Sequence, residues 1–448
     1  MNNPTLPRHI RELMTRLEQA GYEAWAVGGC VRDAAMGRLP HDYDLCTDAL
    51  PERTEAVFAG FPLLLSGKKH GTVTVLLPEG PVEITTYRTE GDYADHRHPG
   101  WVKFVTGIRE DLARRDFTVN AMAFHPERGF LDPFGGLEDL KNGVLRTVGD
   151  PERRFREDAL RILRGVRFAV RYGLTPEEGT RQAMNRLTPL MEELAAERVF
   201  AELCRILPGI HASELTGFAP VITGVIPELA AAVGFDQRSP YHDFDLYTHI
   251  AHVVEGVPES LPLRFAALLH DVGKPAVFTV DETGRGHFFG HAEVGADMAD
   301  QILRRLKAPT RLREQTVFLI RHHMTVPGPD KKLLRRWVSR WGAENVRLLL
   351  QLQRADRCGK GTPFDEDLRY FDAVEALLEQ VIGESACLTL GDLAISGRDL
   401  LDMGYPAGKA LGECLRRLLD EVLAEKLPNQ RSALLREAEK QKKFFEIP

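Results

Sequence analysis

Residues 41–45 read His-Asp-Tyr-Asp-Leu, a stretch that places two carboxylates two positions apart. Alternate side chains of a β-strand project from the same face, so we predict that Asp42 and Asp44 converge while Tyr43 and Leu45 face the other way. Carboxylate oxygens, together with nucleotide phosphates, are ligands that suit Mg²⁺. A bound Mg²⁺ would lower the pKa of an attacking hydroxyl and neutralise charge on a leaving pyrophosphate. Because Asp-x-Asp is also common in solvated turns, the neighbouring sequence has to decide between these interpretations.

A pair of glycines lies upstream of these carboxylates. Gly28 and Gly29 follow Trp-Ala-Val (25–27), which predicts a strand, and precede residues 31–36, which predict the first turns of a helix. Backbone N–H groups at such a turn can approach phosphate closely because glycine has no Cβ, and Arg32 adds a positive charge. The spacing matches neither the dinucleotide-binding Gly-x-Gly-x-x-Gly pattern nor the P-loop, so it favours neither of those classes.

Two later segments add polar groups to the same predicted site. Residues 81–88 predict a second strand, on which Glu83 supplies a third carboxylate. Further along, the chain has helical character after Asp116, which puts Asp116 and Asn120 on one face of a turn. An acid and an amide can bond to ribose hydroxyls while Arg115 meets phosphate. Taken singly, these residues are equally typical of an exposed strand and a helix cap.

The glycine pair, the Asp-x-Asp pair and Arg-Arg-Asp-Phe-Thr-Val-Asn-Ala-Met (114–122) resemble, in order and spacing, the class II tRNA nucleotidyltransferases. These are the CCA-adding enzymes of the DNA polymerase β-like superfamily. The resemblance implies addition of C, C and A to the 3′ end of tRNA from CTP and ATP, without a nucleic-acid template and with release of pyrophosphate. It implies that Asp42 and Asp44 hold Mg²⁺ with help from Glu83. It also implies a nucleotide-binding set: Gly28, Gly29, Arg32, Arg115, Asp116 and Asn120.

The resemblance continues at Arg-Glu-Asp-Ala-Leu-Arg-Ile-Leu-Arg (156–164), which looks like the family's base-selecting helix. Asp158 and Arg161 are three positions apart, so on one helix they would project as neighbours. An acceptor beside a rigid fork of donors can pair with the Watson–Crick edge of cytosine or adenine. In the family the preceding glutamate holds the arginine, which implies that role for Glu157. Arg164 completes the expected nucleotide-binding residues.

A second constellation begins at His249. The adjacent pair His270-Asp271, which follows an apolar run, is the signature of HD phosphohydrolases, whose bound divalent metal activates a water for attack on a phosphoester. The expected ligands are His249, His270, Asp271 and Asp356, with His291 and His323 in auxiliary positions. The resemblance implies Ni²⁺, Mn²⁺ or Mg²⁺ at this site and activity on 2′,3′-cyclic phosphates and 2′-nucleotides.

Length and composition limit the number of domains, the kinds of partner and the cellular compartment that we expect. A chain of 448 residues predicts three or four domains. The net charge of −7 argues against indiscriminate binding of polyanions, but seven arginines between positions 153 and 171 predict a local surface for a phosphate backbone. Six cysteines without a Cys-x-x-Cys pair indicate neither a zinc ribbon nor a disulfide framework. With no signal segment and no bilayer-length apolar run, we expect a cytoplasmic protein with no membrane partner.

The expected fold class is α+β, a polymerase β-like nucleotidyltransferase head followed by an all-helical neck, body, HD domain and tail. Residues 131–140 look like the family's hinge between head and neck. The expected domains are the head (1–148), the neck and body with base selection and tRNA binding (149–238), the HD domain (239–362) and a tRNA-binding tail (363–448).

Several alternatives remain open from sequence. A poly(A) polymerase, or a specialist that adds only CC or only A, would share these motifs, although residues 91–99 match a loop that CC-adding specialists are understood to have lost. The chain could instead act chiefly as an HD phosphohydrolase, or as a non-catalytic tRNA-binding protein. The intact Asp42 and Asp44 pair argues against both. A monomer and a homodimer are equally compatible with the sequence.

Overall fold

The computed structural model describes residues 5–91, 102–239, 243–361, 365–384 and 389–442. The chain divides into two compact units. The first comprises residues 1–210 and 217–228, and the second comprises residues 211–216 and 229–448. The four-domain division expected from sequence stays a prediction. The prediction made from residues 91–99, that the terminal A is added, rests on a segment of which residues 92–99 lie outside the described residues.

The first unit is built on a seven-stranded sheet of order β3-β4-β5-β2-β1-β8-β9. Neighbouring strands are antiparallel except β2 and β5, which are parallel. A separate two-stranded ladder pairs β6 with β7. The strands are β1 Ala24–Val27, β2 Asp44–Thr47, β3 Leu63–Leu64, β4 Thr72–Leu77, β5 Gly80–Thr86, β6 Arg88–Glu90, β7 Val102–Phe104, β8 Ala123–His125 and β9 Gly129–Leu131.

Strand β1 is buried along its whole length, and its alternate residues enter two different cores. Ala24 and Ala26 join the core that helix α1 covers, whereas Trp25 and Val27 join a core on the opposite face of the sheet. Because side chains pack on both faces of the sheet, the ends of its strands can hold polar side chains in fixed positions.

Helices surround and follow this sheet. Helix α1 shows why they form, since its buried residues recur at helical spacing: Ile10, Leu13, Met14 and Leu17. The helices of this part of the chain are α1 Arg8–Gln19, α2 Gly29–Ala35, α3 Pro51–Val57, α4 Ile108–Ala113, α5 Gly136–Asn142, α6 Pro151–Glu157, α7 Leu160–Tyr172, α8 Glu178–Arg186, α9 Ala196–Ile206, α10 Ala212–Gly217 and α11 Ala219–Val225. A parallel ladder joins two short strands, β10 Val144–Leu145 and β11 Thr175–Pro176.

The second unit is almost entirely helical. Residues Leu263 to Leu269 of helix α13 are all buried, so this helix lies at the centre of its neighbours. The helices are α12 Leu246–Gly256, α13 Leu261–Leu269, α14 His291–Arg305, α15 Thr310–His322, α16 Lys331–Trp341, α17 Ala343–Cys358, α18 Asp365–Glu384, α19 Gly397–Asp402, α20 Lys409–Leu423 and α21 Arg431–Lys442. One hairpin interrupts them, formed by β12 Thr279–Val280 and β13 Gly286–His287.

The predicted fold class is confirmed, with one adjustment. The part that follows the head is mostly helical, but the β10–β11 and β12–β13 ladders mean that it is not all helical. Within the described ranges, none of the helices combines the length and apolar composition needed to cross a bilayer.

Candidate functional sites

A cavity of about 750 Å³ in the first unit brings together most of the predicted nucleotide-binding residues. Nine arginines and three aspartates contribute to its lining, so the cavity is strongly basic and suits a polyphosphate. Its lining includes these residues predicted from sequence: Gly28, Gly29, Arg32, Asp44, Arg115, Asp116, Asn120, Asp158, Arg161 and Arg164. Asp42, Glu83 and Glu157 are not among the lining residues.

The predicted metal carboxylates lie at the end of the parallel strand pair. Asp44 is the first residue of β2 and stands directly opposite Glu83 of β5. Asp42 lies in a bend before the strand, so the prediction that both aspartates share one strand is wrong.

The electrostatics of this strand end fit a cation. Partial burial and the charges of Glu83 and Asp42 raise the pKa of Asp44 to about 6, against the opposing effect of Arg115. Three neighbouring carboxylates are a donor set that suits Mg²⁺. In the described part of the chain, however, the oxygens of Asp42, Asp44 and Glu83 do not all lie within 4.8 Å of one another.

The glycine turn is present, and its first glycine is sterically required. Gly28 has a φ of +72°, and a Cβ at this position would lie 2.8 Å from Nη1 of Arg115. Helix α2 begins at the next residue, as predicted. Glycine therefore allows Arg115 to lie directly over the end of strand β1.

Arg32 is buried and engaged by the protein on every side. Its Nη2 donates to Asp33 at 2.8 Å, and its guanidinium also contacts the Asn120 side-chain oxygen and the Tyr172 hydroxyl. The guanidinium carbon lies 4.1 Å from the centre of the Tyr172 ring. Arg32 thus lines the cavity and also holds Asn120. Its guanidinium is already bonded within the protein, unlike that of an arginine free to bind phosphate.

Asp116 and Asn120 meet as the sequence spacing indicates, around a short 3₁₀ turn at Thr118–Asn120. Asn120 donates to Asp116 at 3.0 Å, and Arg164 donates to the other carboxylate oxygen of Asp116 at 2.8 Å. Burial alone would raise the pKa of Asp116, but Arg164 and Asn120 reverse the effect and hold this pKa well below its usual range. An ionised acid is therefore fixed in the wall of the cavity.

Asp158 and Arg161 do not lie on one helix, which corrects the sequence prediction. Helix α6 ends at Glu157, and Asp158 is extended, with φ −146° and ψ 104°. Its carboxylate accepts the backbone N–H of Leu160 at 3.1 Å, a local bond that competes with helix continuation. The two side chains nevertheless line the same cavity.

Each of these two side chains is held by one charged neighbour. Arg161 donates to Glu157 at 2.7 Å, the contact that the resemblance implies, and Arg198 of helix α9 donates to Asp158 at 2.9 Å. The remaining lining residues outside the predicted set are His70, Arg88, Arg114, Leu160, Arg167, Phe168, Arg171 and Tyr172.

Two of the lining residues that were not predicted, Phe168 and Tyr172, follow a pattern that is visible in the sequence. Arg161, Arg164, Phe168 and Tyr172 follow one another at spacings of three, four and four, which is one face of helix α7. Phe168 and Tyr172 stack with ring centres 6.0 Å apart. The stripe could have been found from helical periodicity. Arg198 could not, because its contact with Asp158 spans 40 positions.

The second unit gathers all six residues of the predicted HD site. Nε2 of His249 lies 3.4 Å from Asp271 and 3.1 Å from Asp356, and Nε2 of His270 lies 3.1 Å from Asp271. On the other side, Nε2 of His291 lies 3.4 Å from the second carboxylate oxygen of Asp271. Two groups of potential metal ligands thus share Asp271: one with His249 and His270, the other with His291 and His323.

The histidines are oriented by the backbone. In each of the four, Nδ1 bonds to a backbone carbonyl oxygen and Nε2 points toward the centre. The pairs are His249 with Gly359 at 3.0 Å, His270 with Ala267 at 2.8 Å, His291 with Phe288 at 2.8 Å and His323 with Ile320 at 2.6 Å. Such bonds fix the tautomer and ring orientation of histidine ligands. His270 and His323 lie just past the C-terminal ends of α13 and α15, where the local carbonyls are free to accept.

The donor set fits a divalent transition metal. Burial opposes protonation of His249, but its hydrogen bonds to Asp271 and Asp356 prevail and raise its pKa to about 9. By contrast, burial and the charge of His270 lower the pKa of His323 to about 4. Imidazoles packed closely around buried carboxylates, with the pKa of one raised and that of another lowered, are typical of a metal centre.

Two lysines complete this centre and were not predicted as site residues. Nζ of Lys274 lies 2.7 Å from Asp271, and Nζ of Lys360 lies 3.2 Å from Asp356.

Comparison with known proteins gives matches along most of the chain. Family models match at residues 24–146 ("Poly A polymerase head domain"), 173–215 ("Probable RNA and SrmB- binding site of polymerase A") and 288–438 ("tRNA nucleotidyltransferase domain 2 putative"). The CCA-adding enzyme of Bacillus velezensis is 33% identical over 426 residues, 94% of each chain. That of Geobacillus stearothermophilus is 30% identical over 433 residues, again 94% of each chain.

A solved structure agrees. The crystal structure of Bacillus stearothermophilus CCA-adding enzyme in complex with CTP is similar with a TM-score of 0.73 and 27% identity, over 98% of this chain and 99% of that chain. Near-complete coverage at this level of identity, with a polymerase β-like head at the N-terminal end, places the chain in one family: it is a member of the CCA-adding enzymes, the class II tRNA nucleotidyltransferases.

Proposed function

We propose that this enzyme adds C, C and A to the 3′ end of tRNA from CTP and ATP, with Mg²⁺ and without a nucleic-acid template. The observation that carries the proposal is a single basic cavity that joins Asp44, the arginines and the Asp158–Arg161 pair. Asp42 and Asp44, assisted by Glu83, would hold Mg²⁺, which when bound supplies activation of the primer hydroxyl and charge neutralisation at the phosphates.

The chain's own residues would position the nucleotide. Arg115 and Arg164 face the cavity and offer positive charge to the triphosphate. Asp116 and Asn120 would bond to the ribose, with Arg32 fixing the orientation of Asn120. Since phosphoryl transfer depends mainly on positioning and electrostatic stabilisation, such a fixed network is what the reaction requires.

The Asp158–Arg161 pair accounts for a choice of C and A over U and G. Cytosine and adenine both present an amino donor next to a ring-nitrogen acceptor, whereas uracil and guanine present a carbonyl acceptor next to an N–H donor. The carboxylate of Asp158 accepts and the guanidinium of Arg161 donates, so the pair complements the first arrangement and opposes the second. One protein site can therefore serve both nucleotides.

The test is to incubate the enzyme with tRNA lacking its 3′ CCA, with each nucleotide singly and with CTP and ATP together, and to sequence the products. We expect CC from CTP alone and CCA from both. Long A tracts would instead identify a poly(A) polymerase, and products that stop at CC or begin at A would identify a specialist. Asp44→Ala is the control and should give no extension while binding tRNA normally, because phosphate and shape contacts dominate affinity for tRNA.

We further propose that the second unit is a metal-dependent phosphohydrolase acting on 2′,3′-cyclic phosphates and 2′-nucleotides. The shared Asp271 between two groups of buried ligands supports this proposal. His249, His270, Asp271 and Asp356 would hold Ni²⁺, Mn²⁺ or Mg²⁺, with His291 and His323 as further ligands, and the bound ion would supply an activated water. Water would attack phosphorus and one ester P–O bond would break. A cyclic phosphate would then give a phosphomonoester and a free hydroxyl, and a 2′-nucleotide would give inorganic phosphate and a nucleoside.

Release of phosphomonoester from adenosine 2′,3′-cyclic phosphate, measured with each of the three metals, tests this activity. If the wild-type enzyme hydrolyses neither cyclic phosphates nor 2′-nucleotides with any of them, the centre binds metal for structure alone.

A further inference from the structure

An exposed aromatic pair stands beside the metal centre of the second unit. Phe289 leaves 82% of its surface exposed, and it is the one exposed phenylalanine among the described residues. The imidazole of His287 lies parallel to its ring, with centres 5.5 Å apart and planes 6° apart. A single exposed apolar ring is common on protein surfaces, so what suggests a role for Phe289 is its position two residues before the candidate ligand His291 and its parallel packing on His287.

The pair is mounted on a rigid hairpin. Nε2 of His287 contacts a carboxylate oxygen of Asp281 at 2.7 Å, and the other carboxylate oxygen of Asp281 accepts the backbone N–H of Arg285 at 3.1 Å. Beneath them, Phe288 stacks on Phe278 with centres 5.4 Å apart. The exposed ring is therefore held in place by strands β12 and β13.

This hairpin is connected directly to a candidate metal ligand. Nδ1 of His291 donates to the carbonyl of Phe288 at 2.8 Å, and Phe289 precedes His291 by two residues, so their Cα atoms are within about 7.6 Å. Among the candidate ligands, His291 is 7% exposed and Asp356 9%, whereas His249 and His270 are fully buried. Lys360, beside Asp356, also reaches solvent.

We propose that Phe289, backed by His287, binds the base of a nucleotide whose phosphate lies at the metal centre. The inference rests on the proposed phosphohydrolase function and names its substrate class: a phosphate on the 2′ or 3′ oxygen of a ribose that carries a base. Every base has a flat face, so stacking on an aromatic ring recognises nucleotides without reading sequence. Lys360, which pairs with Asp356, would supply a positive charge to the phosphate.

The experiment compares a substrate with a base and one without. Phe289→Ala should raise KM for adenosine 2′,3′-cyclic phosphate about tenfold, a typical loss for one stacking contact, with kcat within about twofold. Hydrolysis of glycerol 1,2-cyclic phosphate should be unchanged. Phe289→Trp should restore the wild-type KM. Val280→Ala, on the same hairpin and also exposed, is the matched control and should change neither substrate.

A binding measurement separates this inference from the activity. By calorimetry with the Ni²⁺-loaded protein, Phe289→Ala should weaken binding of adenosine 2′-phosphate about tenfold and leave inorganic phosphate unaffected. If the wild type hydrolyses nothing, the phosphohydrolase proposal fails, and these titrations still decide whether Phe289 binds a base. Equal loss with both substrates, or unchanged adenosine 2′-phosphate binding, would overturn the role of Phe289.

Discussion

Arg198 contacts Asp158, one of the two residues proposed to select the base, and the sequence did not predict this contact. Its guanidinium holds Asp158, as Glu157 holds Arg161, so each of the two residues proposed to pair with the base is held by one charged neighbour. A carboxylate that is free to rotate would present its oxygens to any base with a donor. We therefore infer that Arg198 is a positioning residue for nucleotide choice.

Arg198→Ala should increase incorporation of UTP and GTP relative to CTP and ATP about tenfold, because one bidentate base contact contributes about 1–3 kcal/mol of discrimination. Arg161→Ala should act in the same direction with a larger loss of rate. Single-turnover rates with all four nucleotides measure both. Arg205→Ala, on the same helix and more exposed, is the control and should retain wild-type selectivity. A uniform loss of rate with unchanged selectivity would show that Arg198 only supports the fold.

The buried pair of Asp116 and Arg164 predicts a pH-dependent stability. The pKa of Asp116 is lower in the folded chain than its unfolded value of about 3.9, so the pair stabilises the fold above that pH and loses its effect as pH falls. Asp116→Asn should lower the free energy of unfolding by about 2 kcal/mol at pH 7, less than a fully buried pair because Arg164 is about one-third exposed.

Urea denaturation at pH 7, 5 and 3.5 measures this effect. The difference between wild type and Asp116→Asn should shrink between pH 5 and 3.5. Glu178→Gln, which breaks an exposed pair with Arg181, should change stability by less than about 0.5 kcal/mol. A constant difference across this range would mean that packing, not charge, makes Asp116 important.

At the scale of elements, the break between α6 and α7 is the feature least visible in the sequence. Residues 156–164 contain neither glycine nor proline, and their periodicity continues smoothly through Asp158. The break depends on a local bond to Leu160 and on Arg198, 40 positions away. The strand–turn–helix at Gly28, in contrast, was predictable because its signals are local. Asp42 was placed wrongly because strand β2 begins only at Asp44, and Asp42 lies in the bend before it.

Helix α5 packs closely on the 3₁₀ turn that carries Asn120. A Cβ at Gly136 would lie 2.3 Å from the carbonyl oxygen of Thr118, and the Thr118 hydroxyl donates to Asp139 at 2.7 Å. Gly136→Ala should therefore destabilise the first unit by about 1–3 kcal/mol and weaken CTP binding by displacing Asn120.

Thermal unfolding and CTP titration test this substitution. Gly60→Ala is the control, because a Cβ there meets nothing within 4 Å. If Gly136→Ala bound CTP and unfolded like the control, the packing of α5 would not set the position of Asn120.

For the whole molecule, the two candidate sites draw their residues from different compact units. His270→Ala should therefore abolish hydrolysis of 2′,3′-cyclic phosphates and leave CCA addition within about twofold of wild type, since water without a metal keeps a pKa near 15.7. Asp44→Ala should do the reverse. Both activities are to be measured on the same preparation. A joint loss of both would show that the two sites depend on each other.

The order of the architecture was predictable from sequence, whereas its division into four domains stays a prediction. Motif order gave a sheet-containing head and a mostly helical remainder. The expected boundaries were drawn at local breaks in the sequence, whereas the compact units are defined by contacts between distant segments. Residues 211–216 and 217–228 are adjacent in sequence, yet they belong to different units.

This interleaving limits how the molecule can be dissected. A cut after residue 210 removes residues 217–228 from the first unit, and a cut after residue 228 removes residues 211–216 from the second. In that short segment, the N–H of Ala212 donates to Glu255, and the carbonyl of Leu215 accepts from Tyr247; both partners are on α12, the helix that carries His249. A fragment that begins at Leu229 would retain all six HD ligands and still lose part of the support for one of them. Weak metal uptake by such a fragment would report on the missing hexapeptide, whereas ligand substitutions in the full-length chain report on the centre itself.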